Sequence, residues 1–219
     1  MAFIESLIVL PLLLLLLLGI VQYSFIYTAK STLDYATFMS ARAGAIDHAS
    51  KDSIVEGLVR SMIPLTASAQ DDNSLVSSFT KIRKDFEDYS SVKILNPTQE
   101  AFIDFGVKSM NHERLEIPNE MLHVANSQVG LYSRVNIQDA NLLKVQVMYG
   151  YPLRIPFVNH FIVQAAKLVI QDPEKLNYLQ HNRLPILSTA TVRMQSRAIN
   201  NSWVSTLAEI ENATKNAEK

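Results

Sequence analysis

From Leu7 to Val21 the chain runs fifteen residues without a polar side chain, and the only charge ahead of that run is Glu5. Such a stretch cannot be the surface of a water-soluble fold. It must cross a membrane or lie inside other apolar helices, because a spanning helix needs roughly 20 mainly apolar residues. From Met1 to Val21 only Glu5 and Ser6 are polar, and beyond Gln22 the residues Tyr23, Phe25 and Tyr27 form an aromatic belt before Lys30. One transmembrane helix over residues 1–27 is therefore expected. A cleaved secretory peptide fits poorly, since no basic segment precedes the apolar run and Tyr27-Thr28-Ala29 puts a bulky residue where the peptidase needs a small one. Lys30 lies on the side placed outside, against the positive-inside trend, and a basic leader already removed would resolve that conflict.

Glu5 sharpens the problem. An acid at the centre of a membrane helix costs about 2.5–3.5 kcal/mol on insertion scales, and less near the interface, so it is usually paired. No Lys or Arg occurs before Lys30, which leaves the α-amino group of Met1 as the nearest counter-charge. Within one helix that ammonium is too close to be an ideal partner. A neighbouring copy shifted along the axis would present one, as in a filament of parallel helices. Against this stands a plainer origin: an acid in the first turn gains about 0.3–1 kcal/mol from the helix dipole. Position alone leaves both open.

Composition narrows the function classes. The 219 residues allow one anchor and one ordinary domain. Lys and Arg number 20 against 21 Asp and Glu, and no basic run tracks a phosphate backbone, so nucleic acid is not an expected partner. The absence of cysteine removes disulfides, thiol nucleophiles and thiolate metal sites. His48, His112, His123, His160 and His181 are scattered without the spacing of a helical metal site. There is no phosphate loop, nucleophile elbow or calcium-loop pattern. No catalytic residue, metal site or cofactor is expected, and the chain reads as a non-enzyme.

Past the anchor, helical composition continues to about Ile46, with Ala29, Ala36, Ser40 and Gly44 at spacings of seven, four and four. Small residues on one face let a second backbone approach closely, either the chain's own domain or a neighbouring subunit. Pro11 lies inside the anchor, where it frees a carbonyl and loosens the helix locally. Further helices are expected over Asp52 to Met62, ended by Pro64, over Ser74 to Tyr89 after a turn at Gln70 to Asn73, and over Thr98 to Val107. Alternation at Val129, Leu131, Val135 and Ile137 and again at Leu143, Val145, Val147, Tyr149 and Tyr151 predicts a hairpin about Asp139-Ala140-Asn141. A core-facing helix follows over Val158 to Gln171. It is preferred to one lying on the bilayer because Lys167 is its only cation. A polar connector then leads from Asp172 to Arg183, a third strand runs from Ile186 to Gln195, and helical spacing returns at Trp203, Leu207 and Ile210. The expected fold is α+β: a long amino-terminal transmembrane helix continuing into an extracytoplasmic domain with short helices and a carboxy-terminal antiparallel sheet of about three strands. The expected boundaries are 1–27 for the membrane helix, 28–48 for its extension, 49–200 for the domain and 201–219 for a tail.

The start Met1-Ala2-Phe3-Ile4-Glu5-Ser6-Leu7-Ile8-Val9-Leu10-Pro11, with its leucine run and Gly19, resembles the mature amino terminus of type IV pilin-like proteins, and most of all the TadE family of tight-adherence (Tad, Flp) pilus systems. Ser40-Ala41-Arg42-Ala43-Gly44 is similar to that family's helix extension. Val145-Gln146-Val147-Met148-Tyr149-Gly150-Tyr151-Pro152-Leu153 and Leu187-Ser188-Thr189-Ala190-Thr191-Val192-Arg193-Met194 resemble its terminal strands. The resemblance implies a minor pilin or pseudopilin that takes part in assembly or initiation of an adhesive pilus, at its tip if the large domain would crowd a thin filament. By the same resemblance, prepilin peptidase cuts before Met1. No leader or glycine precedes Met1 here, so either the chain is the processed form or no cleavage occurs. Glu5 pairs with the Met1 ammonium of a neighbour, Pro11 supplies helix flexibility, and Ala36, Ser40 and Gly44 pack helices. The implied partners are other pilins and pseudopilins, the peptidase, the inner-membrane assembly platform and membrane lipid. The implied location is the bacterial inner membrane, single-pass, with the carboxy-terminal domain outside the cytoplasm. A pseudopilin of a general secretion system would share the anchor, and a signal-anchored extracytoplasmic binding domain would not need Glu5.

Overall fold

The computed structural model describes residues 2–66, 74–109, 114–200 and 204–217. Met1, the Gln70–Asn73 turn, His112 and Trp203 lie outside them. The first element, α1 (Ala2–Ile46), is one helix of 45 residues that passes through Pro11 without a break. At 1.5 Å per residue it is roughly 67 Å long, about twice a bilayer's hydrocarbon thickness. Short helices follow: α2 (Lys51–Thr66), α3 (Ser74–Tyr89) and, after the strand β1 (Ser90–Asn96), α4 (Gln99–Phe105). Two short strands, β2 (Val107–Lys108) and β3 (Leu115–Ile117), precede α5 (Ile137–Ala140), the long strand β4 (Leu142–Pro152), α6 (Val158–Val169), α7 (Pro173–Gln180) and β5 (Arg183–Arg193). The chain ends with β6 (Ala198–Ile199) and α8 (Leu207–Ala217).

Among the described residues the fold is α+β with two three-stranded sheets, ordered β1-β4-β5 and β2-β3-β6. The second is antiparallel, with Val107 opposite Glu116 and Glu116 opposite Ile199. In the first, the Met194 amide donates to Asn141 O at 2.9 Å and the Leu153 amide to Asn182 O at 3.5 Å. Residues thus pair in opposing order, and β4 and β5 run antiparallel. Leu143, Val145 and Val147 alternate into the core of the sheet, as period two requires.

The chain divides into two compact units, one of residues 1–31 and 149–186 and one of residues 32–148 and 187–219. In the first, Leu153, Val163 and Leu179 form a small core joined by Ile26, Ile162, Ala166, Ile170, Leu176 and Leu184. In the second, the core holds Leu33, Ile54, Leu58, Phe102, Ile117 and Leu143, all buried.

Several expectations need correction. Residues 129–136 form no strand: the segment is irregular, with Val129 65% and Leu131 87% exposed, so its apolar alternation faces water. The Asp104 carboxylate organises it instead, accepting from the Tyr132 amide at 3.0 Å and the Ser133 amide at 2.7 Å. Burial pushes that carboxyl upward, but these amides outweigh it and hold its pKa below the ordinary aspartate value. Pro64 does not end α2, which continues to Thr66. The segment after Asp172 is α7, capped by the Asp172 side chain accepting from the Glu174 amide at 3.0 Å, with Pro173 at the first helical position. β1 and the small second sheet had no counterpart in the sequence pattern.

Candidate functional site: the two halves of the anchor helix

Between Leu7 and Ile20, eleven large apolar side chains of α1 are exposed. Burying one such side chain is worth roughly 1.5–3 kcal/mol, so even half-exposed they leave on the order of 10 kcal/mol unrealised in water. That rivals the whole stability of an ordinary domain, about 5–15 kcal/mol. The segment therefore requires an apolar surrounding that the described chain does not supply. The helix is long and apolar enough to cross a membrane and fits a single-pass anchor. Pro11 sits in this exposed part. The side chain of Glu5 is outside the described ones.

The exposed half stops at Gln22. Its side chain is fully buried, and its Oε1 accepts from the Ile155 amide at 2.8 Å, while Nε2 has no partner among the described residues. One turn on, Ile26 enters the core around Val163. Tyr23, Phe25 and Tyr27 remain exposed on the other faces. Gln22 was legible only as the residue ending the apolar run. The signal available was chemical: a neutral amide at the edge of a membrane helix can satisfy a backbone group that water would otherwise reach.

In the second unit, the helix from Thr32 is built into its own fold. Leu33, Ala36, Thr37, Ser40, Ala41 and Ala45 are buried. The hydroxyls of Thr37 and Ser40 are satisfied locally, donating to Leu33 O at 2.7 Å and Thr37 O at 2.8 Å. A Cβ on Gly44 would collide with the Ile54 side chain and stand 3.1 Å from Leu143 Cδ2. Across from it, a Cβ on Gly57 would be 3.0 Å from Ala43 Cβ and 3.3 Å from Ser40 Cα. The small residues of α1 thus meet a glycine of α2, and that is how the two backbones come so close. Gly44 and Ser40 take part in these contacts, and Ala36 is buried on the same helix. Arg42 stays exposed, with its guanidinium 5.9 Å from the Phe38 ring.

The carboxyl end of α1 is closed from far along the chain. Ala45 O accepts from the amides of Gln195 at 2.9 Å and Ser196 at 3.0 Å, and from the Ser196 hydroxyl at 3.1 Å. His48 and Ala49 adopt left-handed φ values of 53° and 59°, which turns the Ala49 amide back to Gly44 O at 2.8 Å. His48 Nδ1 lies 2.9 Å from Arg197 O. Arg197 in turn pairs with Glu120 at 2.6 Å and Glu116 at 3.5 Å, and its hydrogen bond holds the Glu120 carboxyl below the usual glutamate range. The Gln195, Ser196 and Ala49 donors satisfy carbonyls that every helix end leaves without a partner.

Elsewhere, a cleft of about 460 Å³ lies between α2, α3 and the start of β1, with Val59 and Phe86 among its apolar walls. Its charged residues are of both signs, and Arg83 pairs with Glu87 at 3.3 Å on the same helix, so it presents no directed field. Among the described residues no group of three or more His, Asp or Glu side chains is placed to hold a metal ion.

The sequence model of the TadE-like protein family matches residues 1–42. The anchor helix is TadE-like. The TadE-like match covers the exposed half of α1 and most of its buried stripe. The TadE-like family is not known for catalysis. The match ends before the strands over 145–153 and 187–194. Neither a curated protein nor a solved structure matches the chain.

Proposed function

We propose that this chain is a minor pilin or pseudopilin that takes part in assembling or initiating a Tad-type pilus. The observation that carries this reading is the TadE-like match over a helix whose first half is exposed and apolar while its second half is fixed in a folded domain. Such a part is suited to exchange one apolar surrounding, the inner membrane, for another, a bundle of neighbouring pilin helices. In this scheme residues 1–27 form the membrane helix, 28–48 its extension, 49–200 the extracytoplasmic domain and 201–219 a tail. Prepilin peptidase releases Met1 as the first residue of the mature chain, and the assembly platform extracts the subunit. Glu5 pairs with the Met1 ammonium of an adjacent pilin and sets the axial register. Removing one partner of a buried pair typically costs about 3–5 kcal/mol. Pro11 gives the helix local freedom to pack, and the bulky domain favours the tip over the shaft.

The test is Glu5→Ala and Glu5→Lys in the native host, scored by piliation and by membrane fractionation. Loss of pili with normal insertion is the expected result. Normal piliation in both variants would overturn the proposal.

A further inference from the structure

One helix of the first unit is apolar on more faces than its own core can cover. In α6, Val158 and Val163 are buried, with Ile162 and Ala166 beside them. Phe161, Ala165 and Leu168 recur at helical spacing on a different face, Phe157 stands just before the helix, and Phe157 is 75%, Phe161 60% and Leu168 85% exposed. Only Asn159, His160, Gln164 and Lys167 interrupt the apolar circumference. His160, Gln164 and Lys167 lie together on one side, so α6 is amphipathic with an apolar arc wider than its own core covers.

Phe157 adds an independent sign. It has φ 66° and ψ −53°, and the Val158 amide donates across it to Pro156 O at 2.8 Å. That is a γ-turn of the rare, strained form, held by a non-glycine residue whose ring is left in the open.

The location of this face identifies its occupant. Ile155, two residues before Phe157, is hydrogen-bonded to Gln22, the first residue after the apolar run of α1. Two residues of chain reach at most about 7 Å. Val163, in the middle of α6, shares a core with Ile26, one turn beyond Gln22. The start and the middle of α6 are therefore held close to Gln22 and Ile26, among Tyr23, Phe25 and Tyr27, the aromatic residues that mark a membrane–water boundary.

The geometry points to α6 as a second lipid contact: its Phe157, Phe161 and Leu168 face enters the outer interface of the same bilayer that α1 crosses, beside the anchor. Lys167 is the one cation within α6, and the exposed Arg154 just before the helix supplies a second for lipid phosphates. This inference rests on α1 being a membrane anchor. With it, the chain is held by a helix and a surface patch together, so the first unit keeps a fixed tilt and depth while the subunit resides in the membrane. Extraction into a pilus has to release both contacts.

Because the sequence has no cysteine, single substitutions can be labelled uniquely. The full chain carrying Leu14→Cys, His160→Cys, Phe161→Cys or Leu168→Cys, each with a polarity-sensitive fluorophore, is placed in vesicles of phosphatidylethanolamine and phosphatidylglycerol containing spin-labelled lipid. Quenching at 161 and 168 several-fold stronger than at 160 is the expected result. If 161 and 168 are quenched no more than 160 while 14 is quenched strongly, the α6 contact is refuted and the anchor stands. If 14 is not quenched, the anchor reading fails and the α6 contact falls with it. Shielding of 161 and 168 from a water-borne quencher, without lipid quenching and rising with the protein-to-lipid ratio, would assign the face to a second copy and overturn the proposal.

Discussion

Two stretches of one helix meet opposite fates. Leu7 to Ile20 is the more hydrophobic, yet its large side chains are exposed; Ala29 to Ala45 is richer in small and polar residues, yet its inward stripe is buried. Hydrophobicity alone therefore does not say what a helix packs against. Large aliphatic side chains all round a helix leave no preferred face and suit a surrounding that is apolar in every direction. Small residues on one face, with Thr37 and Ser40 satisfied by the helix's own carbonyls, suit one fixed neighbour at short range.

Substitutions along α1 can break or sharpen this contrast. Leu33→Ala should have the largest effect, about 2–5 kcal/mol of lost domain stability, since Leu33 is wholly buried. Chemical unfolding of the full chain in detergent would read it, and a loss below about 1 kcal/mol would remove the distinction between the halves. Gly44→Ala comes next at about 1–3 kcal/mol, because the added methyl meets Ile54. Gly44→Ala combined with Ile54→Val should recover part of that loss. Gln22→Ala should cost about 1–2 kcal/mol by leaving the Ile155 amide without its acceptor. Faster hydrogen exchange at Ile155 is the specific readout. Leu14→Ala should change domain stability by less than about 0.5 kcal/mol, as it touches no core. A larger loss in detergent would show that the exposed half contributes to the fold after all.

Much of the architecture was legible where one periodicity dominated. α3 begins and ends where its charge and apolar pattern placed it, and the alternation of Leu143, Val145 and Val147 is that of β4. The failures have physical causes. β1 follows α3 without an intervening breaker, and its Ser90, Ser91, Lys93 and Asn96 dilute the apolar pattern because only Ile94 is fully buried. Val129 and Leu131 copied strand alternation without being buried, since local hydrogen bonds to Asp104 set the backbone there. α7 was announced by Asp172-Pro173, a capping pair outweighed by the polarity of the residues after it. In the anchor, the small stripe was visible at Ala36, Ser40 and Gly44, but sequence could not choose between the chain's own domain and a neighbour. The neighbours that Ser40 and Gly44 meet, Gly57 and Ile54, lie on another helix. Gln22 escaped notice because its role depends on an amide 133 residues away.

The closure of α1 at Ala45 sets the order in which the protein can mature. The Ser196 hydroxyl reaches Ala45 O across 151 residues, so the far end of α1 is made well before the group that closes it. At about 5–20 residues per second, synthesis leaves that end without those caps for roughly eight to thirty seconds. Contacts of such long range also slow folding, because the loop must close before they form. A chain still being made therefore presents the end of α1 without its distant caps throughout that interval.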